Sequence, residues 1–156
     1  MCGIAGYTLR PDASHCDVDY ISPMIGPIRQ RGPDDEGICL IDREQRSVHF
    51  CRTDLTIPAF ATLPDFRVDA GSYRHDAALI HTRYSIIDLT EGGHQPFVSA
   101  DGTIVAVYNG EIYNYLELQA SLRAEGVIFR THSDTEVLVE GYRIWGHDLW
   151  NRMNGF

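Results

Sequence analysis

The chain has 156 residues, of which 44% are hydrophobic and 22% are charged, proportions typical of one globular domain with its own core. Its formal net charge of -9 argues against binding to nucleic acid, because such proteins need a surplus of Lys and Arg on one face. No apolar run approaches the ~20 residues that cross a bilayer, and the N-terminus MCGIAGYTLR lacks the features of a secretory signal. We therefore expect a single cytoplasmic domain that binds neither nucleic acid nor a membrane.

The first half of the chain predicts several strands and one broken helix. Apolar residues recur at helical spacing from Val18 to Ile28, but Pro23 and Pro27 each remove a backbone donor, so this helix should be short or interrupted. The segment from Arg31 to Gly37 is rich in Gly, Pro and Asp and predicts a loop. Thr56 to Asp76 shows little periodicity and predicts an irregular excursion. Strands are predicted over 2–9, 37–41, 48–51 and 77–82.

The second half predicts two helices and two further strands. Asn114 followed by Glu117, and Ser133 followed by Glu136, are capping-box patterns that mark helix starts. The two helices should end at the glycines that follow, Gly126 and Gly146. Strands are predicted over 103–108, after an Asp-Gly turn, and over 127–131. Because strands and helices do not alternate strictly, we expect sheets that are covered by helices.

The cysteines predict no metal site, but one of them has a distinctive position. The four residues Cys2, Cys16, Cys39 and Cys51 include no CxxC pair, and in a reducing compartment the last three are interpreted as small, partly buried hydrophobic residues. Removal of Met1 would place the Cys2 thiol beside a free α-amino group. That amine has an unperturbed pKa of about 7.7–8.0, so it is suited to accept the thiol proton as a general base. Alone this is weak evidence, because many proteins begin with Met-Cys.

Six sequence segments in a fixed order strengthen the interpretation of Cys2. They are CGIAG from Cys2, RGPDDEG from Arg31, HTRYSIIDL from His81, HQP from His94, NGEIYNY from Asn109 and SDTE from Ser133. Together they resemble the class II glutamine amidotransferases, and the second, third and fifth resemble the asparagine synthetase branch. The resemblance implies an α+β fold, a four-layer αββα sandwich of antiparallel sheets of the N-terminal-nucleophile hydrolase type. It also implies that residues 2–156 are a glutamine amidotransferase type 2 domain, incomplete at its C-terminus and lacking the family's C-terminal synthetase domain.

The resemblance also implies a role for each residue at a matching position. Cys2 would be the catalytic nucleophile. The Asn109 side-chain amide and the Gly110 N–H would form the oxyanion hole, where charge develops on the tetrahedral intermediate. Arg83 would bind the α-carboxylate of glutamine with its guanidinium fork, and Asp134 would bind the α-ammonium group. The other substrate-binding residues would be Glu111, Ile86 and Ile87, and no residue would bind a metal.

Each of these residues also has an ordinary structural interpretation when taken singly. Arg83 could be a surface strand residue, Asn109-Gly110 a turn, and Asp134 a first-turn helix acid. Two features depart from the family pattern. Tyr84 stands where leucine is common, and the insert from Asp42 to Asp76, longer than in most relatives, could be a lid, a partner surface or a domain contact.

The implied reaction is hydrolysis of L-glutamine to glutamate and ammonia, with no cofactor in this domain. In the resembled family the ammonia passes to a C-terminal synthetase domain, which uses ATP and magnesium to convert aspartate to asparagine. No Gly-rich phosphate loop occurs in these 156 residues. The expected partners are glutamine and that synthetase domain, with a homodimer left open. Three alternatives also stay open: a related amidotransferase that amidates another carboxylate in secondary metabolism, a non-catalytic glutamine-sensing module, and an interaction domain.

Overall fold

The computed structural model describes residues 1–10, 18–86 and 88–156, whose strands form two antiparallel sheets. The larger sheet contains β1 (Gly3–Thr8), β2 (Asp35–Asp42), β3 (Ser47–Cys51) and β4 (Ala77–Arg83). Its strand order is β1-β4-β2-β3, and every neighbouring pair is antiparallel. The smaller sheet pairs β5 (Phe97–Val98) with β6 (Val105–Ala106).

Helices pack on both sheets. They are α1 (Ser22–Arg29), α2 (Phe66–Asp69), α3 (Tyr115–Ala124), α4 (Asp134–Trp145) and α5 (Leu149–Arg152). Helix α1 buries Ile25 against Ile38 and Ile80 of the larger sheet, while α3 and α4 share a second apolar cluster that includes Leu122 and Val137. In the described part of the chain, none of the helices is both long and apolar enough to span a bilayer. The predicted α+β sandwich of antiparallel sheets is confirmed.

Strand β4 divides the first apolar core from a polar face of the larger sheet. Its Ile80 belongs to the core beside α1, so the alternation of side chains along a strand places Arg83 on the opposite face. Gly3 of β1 pairs with Thr82, the residue before Arg83. In an antiparallel pair the next residues outward are Cys2 and Arg83, so this register sets the two side by side at the end of the sheet.

The strand predictions hold for the larger sheet and fail in part elsewhere. Within the described residues the four strands of that sheet begin and end within two positions of the predicted bounds, whereas the strand predicted over 103–108 is reduced to Val105–Ala106. The strand predicted over 127–131 is wrong. The N–H groups of Arg130 and Thr131 donate to the Glu136 carboxylate at 2.9 and 2.7 Å, so they are not available to a neighbouring strand.

The helix starts also differ in detail from the capping-box prediction. Ser133 caps α4 by accepting from the backbone N–H two residues on, at 3.1 Å, but Glu136 binds the loop before the helix instead of Ser133. Asn114 precedes α3 without a side-chain cap. Its amide donates to Arg152 O at 2.9 Å and accepts from Asn154 N at 2.8 Å, so it holds the C-terminal segment. The helices end at the predicted glycines, Gly126 and Gly146, both with positive φ.

The insert from Asp42 to Asp76 contains β3, and the part that follows β3 packs against the larger sheet. Its irregular part holds helix α2 and the short 3-10 helices Pro58–Phe60 and Ala70–Ser72. Phe66 is 3% exposed and Ala70 is fully buried, and both belong to the apolar core of the larger sheet. Phe60 stacks on His94 with ring centroids 4.1 Å apart. The insert therefore contributes side chains to the apolar core that lies behind the polar face of the larger sheet.

Candidate active site

A cleft opens where β1 begins and β4 ends. The segment 108–111 and the start of α4 face these strand ends. The volume of the cleft is about 630 Å³, part of which is open to solvent. Seven of the eight predicted site residues line it: Cys2, Arg83, Ile86, Asn109, Gly110, Glu111 and Asp134. The eighth, Ile87, lies outside the described residues. Residues from four separate parts of the chain thus converge on one cavity.

Cys2 lies at the cleft wall with its sulfur close to the backbone of Tyr84. The Tyr84 N–H donates to Cys2 Sγ at 3.4 Å, and Sγ lies 3.7 Å from the Tyr84 carbonyl oxygen. These two contacts hold the sulfur beside the Tyr84 backbone at the wall of the cleft. Met1 also lines the cleft and is 67% exposed, so the bond that joins it to Cys2 lies at an open surface.

The segment predicted as a loop from Arg31 to Gly37 holds the backbone around the sulfur, and its last three residues already belong to β2. Arg31 Nε donates to the Cys2 carbonyl oxygen at 3.2 Å, and the Asp34 carboxylate accepts from Ser85 N at 2.8 Å. The next carboxylate, Asp35, is 2% exposed and contacts His94 Nδ1 at 2.7 Å. The sequence predicted a loop for the RGPDD segment and used it as a mark of resemblance. It did not predict these contacts, because they join residues that are far apart in the chain.

Arg83 is 5% exposed, and backbone carbonyls hold its guanidinium in place. Nη1 donates to Thr90 O at 2.9 Å, and Nη2 donates to Asp88 O. Gly93 lies against the guanidinium so closely that a Cβ at this position would collide with Nη2. Glycine at 93 therefore permits this close approach of the arginine, which lines the cleft.

Asn109 and Gly110 form the opposite wall of the cleft. Asn109 is exposed to the cavity, whereas the neighbouring main chain is fixed by the C-terminal segment. Glu111 and Phe156 exchange two backbone hydrogen bonds, each of 3.1 Å, and the Tyr108 hydroxyl donates to Phe156 O at 2.8 Å. A Cβ at Gly110 would collide with Phe156 O, so only glycine permits this close approach.

Asp134, the first residue of α4, brings a buried carboxylate to the cleft. It is 6% exposed and accepts from Ile112 N at 3.2 Å. Burial raises the pKa of Asp134 because it disfavours the charged form, and the nearby Glu111 carboxylate raises it further. Hydrogen bonds from the backbone of Ile112 and Thr135 oppose this shift without cancelling it. A buried carboxylate under these conditions gains strongly from a cationic ligand.

Asp134→Asn is expected to raise the KM for glutamine and to flatten its dependence on pH. The resemblance implies that Asp134 binds the substrate ammonium group, which needs the ionised carboxylate, and the pKa of Asp134 is raised in the free protein. Binding is therefore present above that pKa and is lost as the pH falls through it, so kcat/KM should fall on the acid side in the wild type. The neutral amide cannot titrate, so the part of the acid limb that is due to Asp134 should disappear in the variant, whereas the part due to protonation of the Cys2 α-amine should remain. Steady-state kinetics of both proteins across acidic pH check this, and an unchanged KM in the variant would contradict it.

Several of the residues that line the cleft have no role predicted from the sequence. Gln95 and Tyr108 both line the cavity, and the pKa of Tyr108 is raised to about 12 by burial and by the charges of Asp134 and Glu111. The phenol therefore stays protonated and able to donate. The sequence pointed to these residues only indirectly. Gln95 belongs to the HQP segment and Tyr108 directly precedes Asn109-Gly110, but neither pattern predicts which residues they contact.

The other described cysteines and His81 do not line the cleft. Burial raises the pKa of the Cys39 thiol to about 12 and that of Cys51 to about 11, so both stay protonated, and Cys16 lies outside the described residues. Burial lowers the pKa of His81 to about 4, so its imidazole is neutral at pH 7. We expect His81 to serve packing or a structural hydrogen bond. Among the described residues, no group of three or more His, Cys, Asp or Glu side chains is placed to hold a metal ion.

Comparison with known proteins places these observations in a family. The profile of the glutamine amidotransferase domain matches residues 65–156, more than half of the chain. Among curated proteins, the chain is 40% identical to glutamine-hydrolysing asparagine synthetase 3 of Bacillus subtilis over 157 aligned residues, and 34% identical to asparagine synthetase 2 of the same organism over 144. These alignments cover 99% and 91% of this chain but only 20% and 14% of the relatives.

A solved structure shares the fold at lower sequence similarity. It is the glutamine phosphoribosylpyrophosphate amidotransferase from B. subtilis complexed with ADP and GMP, which is 23% identical. The superposition has a TM-score of 0.63 and covers 99% of this chain and 33% of that protein. From the profile match and the curated relatives together, the chain belongs to the glutamine amidotransferase domain family.

Proposed function

We propose that this chain is the glutaminase part of a glutamine-hydrolysing asparagine synthetase, with Cys2 as its nucleophile. The observation that carries the proposal is the convergence of one accessible thiol, a buried cation and a buried anion on a single cleft, from Cys2, Arg83 and Asp134. A cation and an anion that line the same cavity fit the carboxylate and ammonium groups of a free amino acid. A peptide-bound glutamine lacks both charges, so it would complement neither Arg83 nor Asp134.

The reaction is a displacement at the side-chain carboxamide of glutamine. Once Met1 is removed, the α-amine of Cys2 accepts the thiol proton, and the sulfur attacks the amide carbon. Asn109 and the Gly110 N–H stabilise the resulting oxyanion, the amine returns the proton to the leaving nitrogen, and ammonia departs. Water then attacks the γ-glutamyl thioester, which releases glutamate and restores the thiol. Bonds and protons balance without a redox partner or a metal.

The remaining predicted residues would shape the substrate pocket. Glu111 lies beside Asp134 in the cleft, and a second carboxylate adds to the attraction for the α-ammonium group. Ile86 is 65% exposed at the rim of the cleft, where its side chain would be covered when glutamine binds. We assign Ile87 to the same wall on sequence grounds alone.

The ammonia would serve a synthetase domain that uses ATP and magnesium to convert aspartate to asparagine. The names of the curated relatives support this acceptor, and those relatives are several times longer than the aligned segment. No cofactor is needed for the glutaminase step itself. A cytoplasmic location and a possible homodimer belong to the same proposal. A related amidotransferase with a different carboxylate acceptor would share every step up to ammonia release.

The proposal is tested by intact-mass spectrometry combined with a glutamate-release assay on the complete protein. We expect a mass without Met1, release of glutamate from L-glutamine, and one covalent adduct at Cys2 after treatment with a diazoketone analogue of glutamine. A protein that retains Met1, or one that is alkylated elsewhere while it still releases glutamate, would contradict the mechanism. Binding of glutamine without turnover would instead identify a sensing module.

A further inference from the structure

Gln95 is buried between the segment 108–111 and the start of α4, and the mechanism above does not use it. Its residue is 6% exposed and it lines the cavity. It lies in the segment between the loop that holds Arg83 and strand β5. A buried primary amide has one acceptor oxygen and two N–H donors, and it is costly to bury unless these are used.

The Gln95 amide pairs with both backbone groups of one residue on the oxyanion side. Tyr108 N donates to Gln95 Oε1 at 2.6 Å, and Gln95 Nε2 donates to Tyr108 O at 3.2 Å. The side chain thus acts as a strand neighbour for Tyr108 at a point where the chain has left β6. The next two residues are Asn109 and Gly110, so fixing the Tyr108 peptide fixes where their donors point.

The same amide also reaches the helix that carries Asp134. Gln95 Nε2 donates to Thr135 Oγ1 at 3.2 Å, and Thr135 is 3% exposed in the first turn of α4. Thr135 directly follows Asp134. One side chain therefore joins the residue before the oxyanion donors to the residue after the ammonium-binding carboxylate.

We propose that Gln95 is a positioning residue that sets the distance and orientation between the oxyanion donors and the ammonium-binding site. The inference rests on the proposed function, because those two subsites are defined by it. The oxyanion donors must meet an atom whose position is fixed by the amino-acid end of the substrate, several bonds away. A link between the Tyr108 segment and the start of α4 keeps the carbonyl oxygen aligned with Asn109 and Gly110 when Asp134 holds the other end. Misplacement of such a group by about 1 Å can cost ~100-fold in rate.

The amide of glutamine fits this role better than a carboxylate or an apolar group. Glutamate would lose the Nε2 donor that serves both Tyr108 and Thr135, and would add a negative charge close to Asp134. Leucine is similar in size but makes none of the three hydrogen bonds. Gln95→Leu therefore removes the link while it largely preserves the packing.

The test compares Gln95→Leu with Gln119→Leu in the complete protein. Gln119 is an equally buried glutamine, 5% exposed, but it lies in α3 and does not line the cleft. We expect Gln95→Leu to lower kcat for glutamine hydrolysis by ~10–100-fold, with KM changed less than threefold, because the lost alignment acts mainly in the transition state. Gln119→Leu should keep the wild-type kcat, whatever it does to the thermal midpoint.

A second readout separates alignment from general loosening of the fold. An aldehyde analogue of glutamine forms a tetrahedral adduct with the thiol, whereas the product glutamate does not. Gln95→Leu should weaken binding of the aldehyde by ~10–100-fold and binding of glutamate by less than threefold. Equal losses for both ligands, or a kcat that falls as much in Gln119→Leu, would overturn the proposal.

If Gln95→Leu does not fold, Thr135→Val removes one arm of the link and keeps the Tyr108 pairing. It should show the same pattern with a smaller loss of kcat and of aldehyde affinity, and an unchanged aldehyde affinity would count against the inference. Cys2→Ala separates the two levels of the argument. If that variant still hydrolyses glutamine, the proposed function fails; if it is inactive while Gln95→Leu is fully active, only the positioning role fails.

Discussion

Cys2→Ala is expected to lower kcat for glutamine hydrolysis by roughly 10⁴-fold or more, as loss of a covalent nucleophile does in other hydrolases. The structure offers no substitute thiol in the described part of the cleft, since Cys39 and Cys51 are buried and their pKa values are raised to about 12 and 11. The affinity for glutamine should change little, because Arg83 and Asp134 remain. A glutamate-release assay with a parallel binding measurement gives both quantities.

Cys39→Ala is the matched control for this experiment. Cys39 lies fully buried in β2, so its loss removes a small apolar group and a thiol together. A modest fall in thermal stability with wild-type kcat is expected. If Cys2→Ala kept more than a tenth of the wild-type rate, or if Cys39→Ala lost activity while folded, the nucleophile would have to be sought elsewhere.

The second large effect is expected for Asn109→Ala, which should lower kcat by ~100–1000-fold, as removal of one oxyanion donor does elsewhere. The charge that Asn109 would meet exists only in the tetrahedral intermediate, so KM should stay within a few-fold of the wild type. Because Asn109 is exposed at the cleft, truncating it should not destabilise the fold. Initial rates over a range of glutamine concentrations separate the two parameters.

Asn151→Ala provides the control, because Asn151 is an exposed asparagine in α5 that does not line the cleft. Its kinetics should match the wild type. A rise in KM with unchanged kcat in Asn109→Ala would assign that side chain to ground-state binding and would remove it from the oxyanion hole.

The main elements of the larger sheet could be predicted because their causes are local. Strand composition and the turns beside β2 and β4 lie within short windows of sequence, and the structure places these strands close to the expected bounds. The failed strand over 127–131 had suitable residues too. The strand does not form because the buried Glu136 carboxylate accepts hydrogen bonds from the backbone N–H groups of the segment. Hydrophobic periodicity does not predict such a competing acceptor.

The site divides in the same way. Residues such as Cys2 and Arg83 could be named from ordered motifs, and the cleft brings the described members of that set together. The side chains that hold Cys2, Arg83 and their neighbours in place could not be predicted, because their partners are distant in sequence. Gln95 meets Tyr108 and Thr135, which lie 13 and 40 residues away, and Asn114 serves the C-terminal segment instead of its own helix. Single-sequence patterns carry no information on such pairings.

The pairing of Gly3 with Thr82 has a consequence for how this terminus can change. Side chains alternate along a strand, so inserting or deleting one residue between Cys2 and Ile4 would turn the sulfur to the α1 side of the sheet, away from Arg83. A change of two residues would restore the direction but displace the thiol by nearly 7 Å along the strand. The number of residues between Cys2 and Ile4 therefore fixes the position of the thiol. Extra residues left at this end after processing should be tolerated far less than insertions in a surface loop.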